Sequence, residues 1–150
     1  MTNNKITQLY YQFKEETGSK LQENQFKTFV TFFPALLVVM ADGQIDEDEW
    51  FYIENLAEFM ARAHFDDSPS QDLRHEYTEM FLGELRHTLE KLNGWEPLFL
   101  DALAEYLTIH PEYKEDIVEL LEVFAESSEG ISSTEQQKMD SISALLQLND

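Results

Sequence analysis

Apolar residues recur along nearly the whole chain at spacings of three and four, the period of a helix that buries one face. Ile6, Leu9, Tyr10 and Phe13 form a short stripe that ends near Gly18. Phe26, Phe29, Val30, Phe33, Leu36, Leu37 and Met40 continue one face to Gly43, and Pro34 within this stretch is expected to kink it. Trp50, Ile53, Leu56, Ala57 and Met60 mark a third helix, whose end His64 would suit through the helix dipole. Ser68-Pro69-Ser70-Gln71 reads as a helix start, with a capping hydroxyl, Pro at the first helical position and Gln closing the box. That helix is expected to run through Leu73, Tyr77, Phe81, Leu85, Leu89 and Leu92 to a stop at Asn93-Gly94. Leu98, Phe99, Ala102, Leu103 and Tyr106 follow. Pro111 then opens a helix carrying Ile117, Leu120, Leu121 and Phe124, and the last helix has Met139, Ile142, Leu145 and Leu146. No segment alternates as a strand would over a useful length. The spacing predicts an all-α fold, a compact bundle of about seven helices in a single domain over residues 1–150.

A faint internal repeat overlies this pattern. Val30, Phe33, Leu37 and Gly43 map onto Ile117, Leu120, Phe124 and Gly130 at an offset of 87. Beyond the glycine the offset becomes 86, pairing Ile45 with Ile131, Asp46 with Ser132 and Glu49 with Glu135. The same offset pairs Ile53, Leu56, Phe59 and Met60 with Met139, Ile142, Leu145 and Leu146. Two pseudo-repeated helix–turn–helix hairpins bracketing the middle helices are the economical expectation.

Composition narrows the function classes. Eleven Phe, six Tyr and two Trp within a 43% apolar chain supply too much core material for a disordered polypeptide, despite a net charge of −20. Thirty acids against ten bases leave no basic footprint for phosphates, so nucleic acid is not an expected partner, and anionic membranes would repel the surface. A cation or a protein with a basic surface is the natural counterpart. The absence of cysteine removes disulfides, thiolate metal sites and a cysteine nucleophile. The longest apolar run, Thr28 to Ala41, falls short of the roughly 20 residues a membrane span needs and contains Pro34, so it reads as a buried core helix. With no apolar signal core near Met1, the cytoplasm is the expected address.

The most informative local feature is Asp42-Gly43-Gln44-Ile45-Asp46-Glu47-Asp48-Glu49, which puts five carboxylates on one short turn. Structurally, Gly43 supplies the positive φ that ends one helix, Asp46 caps the next, and Glu49 closes a capping box from three residues on. Asp42 is left over: it follows a helix C-terminus, where the dipole disfavours negative charge. A hard cation held by Asp42, Asp46 and Glu49 would relieve it. Ca²⁺ or Mg²⁺ chemistry with waters completing the shell fits, at an affinity on the order of 10⁻⁴ to 10⁻³ M. The segment matches only the second half of an EF-hand loop, since Val38 and Met40 occupy the earlier ligand positions. The turn either caps helices alone or caps them and binds a cation.

Met40-Ala41-Asp42-Gly43-Gln44-Ile45-Asp46-Glu47-Asp48-Glu49, with its degenerate copy near Glu129-Gly130-Ile131-Ser132-Ser133-Thr134-Glu135, resembles the TerB-like tellurite-resistance family. The resemblance spans about residues 26 to 148, with specificity in the two turns only. It implies a compact helical domain, a part in bacterial stress responses including tellurite resistance, and a divalent-cation site built from turn acids. No enzymatic activity is implied. The acids that match are Asp42, Asp46 and Glu49 in the first turn and Glu135 in the second. The second turn departs from the family pattern, with Ser128 or Glu129 at the Asp position according to alignment, so the first turn is the expected site.

Other chemistry finds weaker footing. Glu84-Leu85-Arg86-His87 and Asp72-Leu73-Arg74-His75 have the carboxylate–His spacing of di-iron bundles, but both fall on one helix about 18 Å apart, so they read as ordinary surface i,i+3 pairs. There is no nucleophile elbow, Gly-rich phosphate loop or His-Glu-x-x-His pair. The aromatic residues, Trp50 and Trp95 included, are expected mainly in the core. The sequence therefore points to a non-enzymatic acidic binding module, with a cation-free protein-interaction adaptor as the alternative and a metal-dependent hydrolase as a distant third.

Overall fold

The computed structural model describes residues 4–41, 47–64, 71–126 and 133–148, and at helical positions 48, 49, 63, 64, 71–74 and 123–126 the backbone only. Seven α-helices account for almost all of these residues: α1 (Lys5–Thr17), α2 (Glu23–Val39), α3 (Glu47–His64), α4 (Gln71–Glu90), α5 (Leu92–Ile109), α6 (Lys114–Glu126) and α7 (Ser133–Leu146). A short 3₁₀ turn, Pro111–Tyr113, leads into α6, and no strand occurs among the described residues.

Local sequence explains the ends of α1. The Asn4 side chain accepts from the Thr7 amide at 2.7 Å, and Gly18 at φ +70° closes the helix by donating to the Lys14 carbonyl at 2.9 Å. Its stripe Ile6, Leu9, Tyr10 and Phe13 is buried, and the Tyr10 hydroxyl donates to the Leu21 carbonyl at 2.8 Å, tying the α1–α2 loop down. The two exposed extremes of glycine chemistry make a clean test. Gly18→Ala forces a side chain into the left-handed region and should destabilise by about 1–2 kcal/mol. Gly94 has no positive φ, and a Cβ there would meet no atom within 4 Å, so Gly94→Ala should stabilise by about 0.4–1 kcal/mol. Urea unfolding of both variants checks the opposite signs.

The second helix is the axis of the molecule. From Phe33 to Val39 every residue is buried, and α1, α3, α5, α6 and α7 all pack against it. A helix apolar on nearly all sides belongs in this position, which accounts for the long apolar run without a membrane. The helix continues through Pro34 as one element. No helix among the described residues is long and apolar enough to cross a membrane. At the centre of the core, the Phe99 ring lies 4.4 Å from Phe33 and 5.6–6.0 Å from Phe13, Phe26, Phe29 and Trp95, so one side chain of α5 joins α1 to α2.

The α4–α5 boundary differs from the sequence expectation. The break falls at Lys91, not at Asn93-Gly94, which lie inside the first turn of α5. Lys91 leaves the helical region (φ −133°, ψ 40°), and its carbonyl accepts from Gly94 and Trp95 at 3.0 and 3.1 Å to restart the helix. The reason is the phase of the stripe: Leu92 lines up with Trp95, Phe99 and Leu103 and so belongs to α5, while Asn93 and Gly94 face solvent.

The positions paired by the sequence repeat have matching exposure in several cases. Leu56 and Ile142 are buried, as are Met60 and Leu146, whereas Phe59 and Leu145 are exposed at 39% and 54%. Their surroundings differ, since α3 packs on α2 and α4, and α7 packs on α2 and α5.

Candidate functional site

Between Gln25 and Val39, the only residues of α2 that are not buried are Lys27, Thr28, Thr31 and Phe32, and all four line one groove of about 820 Å³. The opposite wall comes from α6 through Asp116, Glu119 and Leu120. Phe59 of α3, Tyr106 of α5 and Tyr113 of the 3₁₀ turn complete it. The central helix thus reaches the surface along its middle at this groove.

The break between α5 and α6 builds the aromatic end. Pro111 cannot continue a helix, and His110 turns the chain while its amide still donates to the Tyr106 carbonyl at 2.8 Å. The resulting 3₁₀ turn lays Tyr113 over Tyr106, with ring centroids 5.6 Å apart and planes at 23°; His110 sits 4.8 Å from the Tyr106 ring. Burial pushes the Tyr106 phenol above its usual pKa, helped by Tyr113 and Glu112 nearby, so it stays protonated and remains a donor through neutral pH. Thr28 and Thr31 turn their hydroxyls back onto the Asn24 and Lys27 carbonyls, at 3.4 and 2.8 Å. Their polarity is absorbed within α2, and the rings of Phe32, Phe59, Tyr106 and Tyr113 dominate the groove. Two carboxylates, Asp116 and Glu119, stand against the single amine of Lys27 among the described lining residues. Such a surface can take up an apolar stripe flanked by positive charge.

The acids singled out in the sequence fall mostly elsewhere. Asp42 and Asp46 lie outside the described residues, as does the side chain of Glu49, so the proposed Ca²⁺ or Mg²⁺ turn has no described geometry. Of the second turn, Glu135 is half-buried in the first turn of α7, and residues 127–132 lie outside. Among the described residues no group of three or more His, Asp or Glu side chains is placed to hold a metal ion. The Ser68-Pro69 helix start and the Asp72 and Phe124 side chains also lie outside the description. Trp95 is buried at 5% exposure, whereas Trp50 is half-buried with the Arg86 guanidinium 5.1 Å above its ring, a cation–π contact that joins α3 to α4.

Glu84 corrects the reading of Glu84–His87 as a surface pair. It is only 7% exposed, while His87 is exposed. The α1–α2 loop lies beside it, with Ser19 and Lys20 lining the same small pocket, and its Oε1 has no hydrogen-bond partner among the described residues. Burial raises the Glu84 pKa, opposed in turn by the nearby Ser19 hydroxyl, the charge on His87 and the Lys20 amide. The folded state therefore holds this proton more tightly than the unfolded chain. Its contribution to stability is complete below the ordinary glutamate pKa and is lost as pH rises through the elevated folded value. Glu84→Gln should therefore stabilise the protein near neutral pH, on the order of 1 kcal/mol, and the gain should vanish in acid. Urea unfolding of both proteins from pH 4 to pH 8 reads the difference, and the subtraction cancels the titration of the other acids.

Scanned against protein-family models, curated proteins and solved structures, the chain gives no significant match. The TerB-like resemblance accordingly rests on the two acidic turns.

Proposed function

We propose that this chain is a non-enzymatic, acidic helical binding module that docks a basic amphipathic helix from another protein in the groove between α2 and α6. One observation carries the reading: four aromatic side chains line a groove rimmed by Asp116 and Glu119, on a chain of net charge −20. Amphipathic helices are recognised by laying an apolar stripe into such grooves, and acidic rims select basic flanks and speed the encounter. The TerB-like resemblance of the acidic turns suggests the setting, a cytoplasmic stress-response pathway. A weak Ca²⁺ or Mg²⁺ site at Asp42, Asp46 and Glu49 belongs to the same proposal, and rests on sequence alone. It would act on the α2–α3 connection, far enough along the chain to be tested separately.

The test of docking is fluorescence anisotropy with a labelled helical peptide of about 18 residues, five turns, apolar on one face and Lys/Arg-rich on the other. Binding on the order of micromolar that weakens with salt is expected. A scrambled peptide of equal charge, with no apolar face, should bind far more weakly. Equal binding of both peptides would mean non-specific attraction to an acidic surface and would refute the groove. For the cation, Ca²⁺ and Mg²⁺ titrations should move the amide signals of residues 40–50 saturably, and Asp42→Ala should abolish the response.

A further inference from the structure

Asn93-Gly94, the turn signal that the fold overrides, sits exposed in the first turn of α5 and is the one Asn-Gly pair in the sequence. Asparagine is a thermolabile residue, and a following glycine makes it most so, because no side chain shields the backbone nitrogen that attacks its amide. A helix ordinarily blocks that attack by holding the peptide group between the two residues at both its carbonyl and its N–H. Here neither end is held in the ordinary way. Pro97 lies inside α5, four residues after Asn93, and has no N–H to give the Asn93 carbonyl. The Gly94 N–H donates to the Lys91 carbonyl at 3.0 Å, but that carbonyl also accepts from Trp95 at 3.1 Å. Releasing Gly94 therefore leaves the Lys91 carbonyl satisfied. The space beside Gly94 is open as well, with no atom within 4 Å of where a Cβ would stand.

We propose that Asn93 is a site of spontaneous deamidation in the folded protein, opened by the glycine that follows it and by Pro97. Hydroxide takes the Gly94 amide proton, and the freed nitrogen forms a bond to Asn93 Cγ. The Cγ–Nδ2 bond breaks, and the leaving nitrogen takes a proton from water to depart as ammonia. A five-membered succinimide remains in the main chain. Water then opens this ring at either carbonyl. Cleavage of the new Cγ–N bond leaves an aspartate at position 93 with a normal backbone. Cleavage of the original peptide bond leaves isoaspartate, with one extra carbon in the main chain. Water is consumed and ammonia released, and nothing is oxidised or reduced.

The two products act on the fold in opposite directions. A carboxylate in the first turn of α5 is favoured by the helix dipole. The extra carbon of isoaspartate instead falls between Leu92 and Trp95, whose shared phase starts the helix. Trp95 is buried, with its ring 5.1 Å from Phe13 and 6.0 Å from Phe99, so a shift of phase there reaches the core. The reaction is independent of the groove between α2 and α6.

The experiment ages the full chain at mildly alkaline pH, folded and in urea, and follows the tryptic peptide from Leu92 to Lys114 by chromatography and mass spectrometry. The folded protein should convert within about a hundredfold of the unfolded rate, faster than unfolded fractions of roughly 10⁻³ to 10⁻⁶ would allow. Asn55, inside α3 and followed by Leu56, should stay intact over the same period. Pro97→Ala returns an N–H to the Asn93 carbonyl; it should slow the folded protein about fivefold and leave the rate in urea unchanged. Gly94→Ala hinders the attacking nitrogen and should slow both. Folded conversion more than about a hundredfold slower than unfolded would assign the reaction to the unfolded chain and overturn the proposal. Equal rates for folded Pro97→Ala and the unmodified protein would overturn it too.

Discussion

Phe99→Ala should destabilise the domain by about 3–5 kcal/mol, a large share of the roughly 5–15 kcal/mol that holds a domain folded. The side chain is fully buried, and its ring touches aromatic residues from α1, α2 and α5 itself. Its removal deletes the transfer energy of a phenyl group and leaves a cavity between helices that cannot all close on it. The closest contact, the stacked Phe33 ring at 4.4 Å, loses its partner outright. Urea unfolding checks the size. Phe51→Ala is the matched control, because Phe51 is 59% exposed and its loss should stay within about 0.5 kcal/mol. Comparable losses from the two would place the organising contact of the core elsewhere.

Phe59→Ala should weaken docking of the basic amphipathic peptide by about 10- to 30-fold, or roughly 1.4–2 kcal/mol. Phe59 is the α3 contribution to the groove; it is 39% exposed, with the Arg62 guanidinium 5.9 Å from its ring centre, and a docked helix would cover part of that exposed surface. Aromatic residues in such positions commonly dominate binding energy because they desolvate a large area at low entropic cost. The acidic rim should act differently. Asp116→Asn and Glu119→Gln are expected to flatten the salt dependence and slow association, with a smaller effect on affinity at high salt. Stopped-flow kinetics separates the two roles. A Phe59→Ala protein that binds the peptide unchanged would move the contact away from this groove.

The helices were legible because apolar spacing and burial are the same physics seen twice. Ile6, Leu9, Tyr10 and Phe13 form a stripe in sequence and a buried face in the fold, and Gly18 ends the helix by its positive φ. The α4–α5 boundary was misread because Asn93-Gly94 is a strong local turn signal, whereas the phase of Leu92 with Trp95 and Phe99 decides the break. Glu84 was misread because i,i+3 spacing says nothing about the loop that lies beside it; Ser19 and Lys20 are more than sixty positions away. The groove was hidden for a similar reason. Phe32, Phe59, Tyr106 and Tyr113 are scattered along the chain, and an aromatic residue on a helical stripe reads as packing until neighbouring helices fail to cover it. One signal was present: Thr28 and Thr31, three residues apart, put a polar edge on an otherwise apolar stretch. The acidic turn is a feature of sequence only, with Asp42 and Asp46 outside the described residues.

Chemical-shift mapping of the basic amphipathic peptide on the isotopically labelled protein tests the docking claim most directly. Lys27, Thr28, Thr31, Phe32, Tyr106, Tyr113, Asp116 and Glu119 should respond together along one binding curve, while the exposed acids of α4 stay still. Shifts spread evenly over acidic residues on every helix, with the groove no more affected than the rest, would contradict the account.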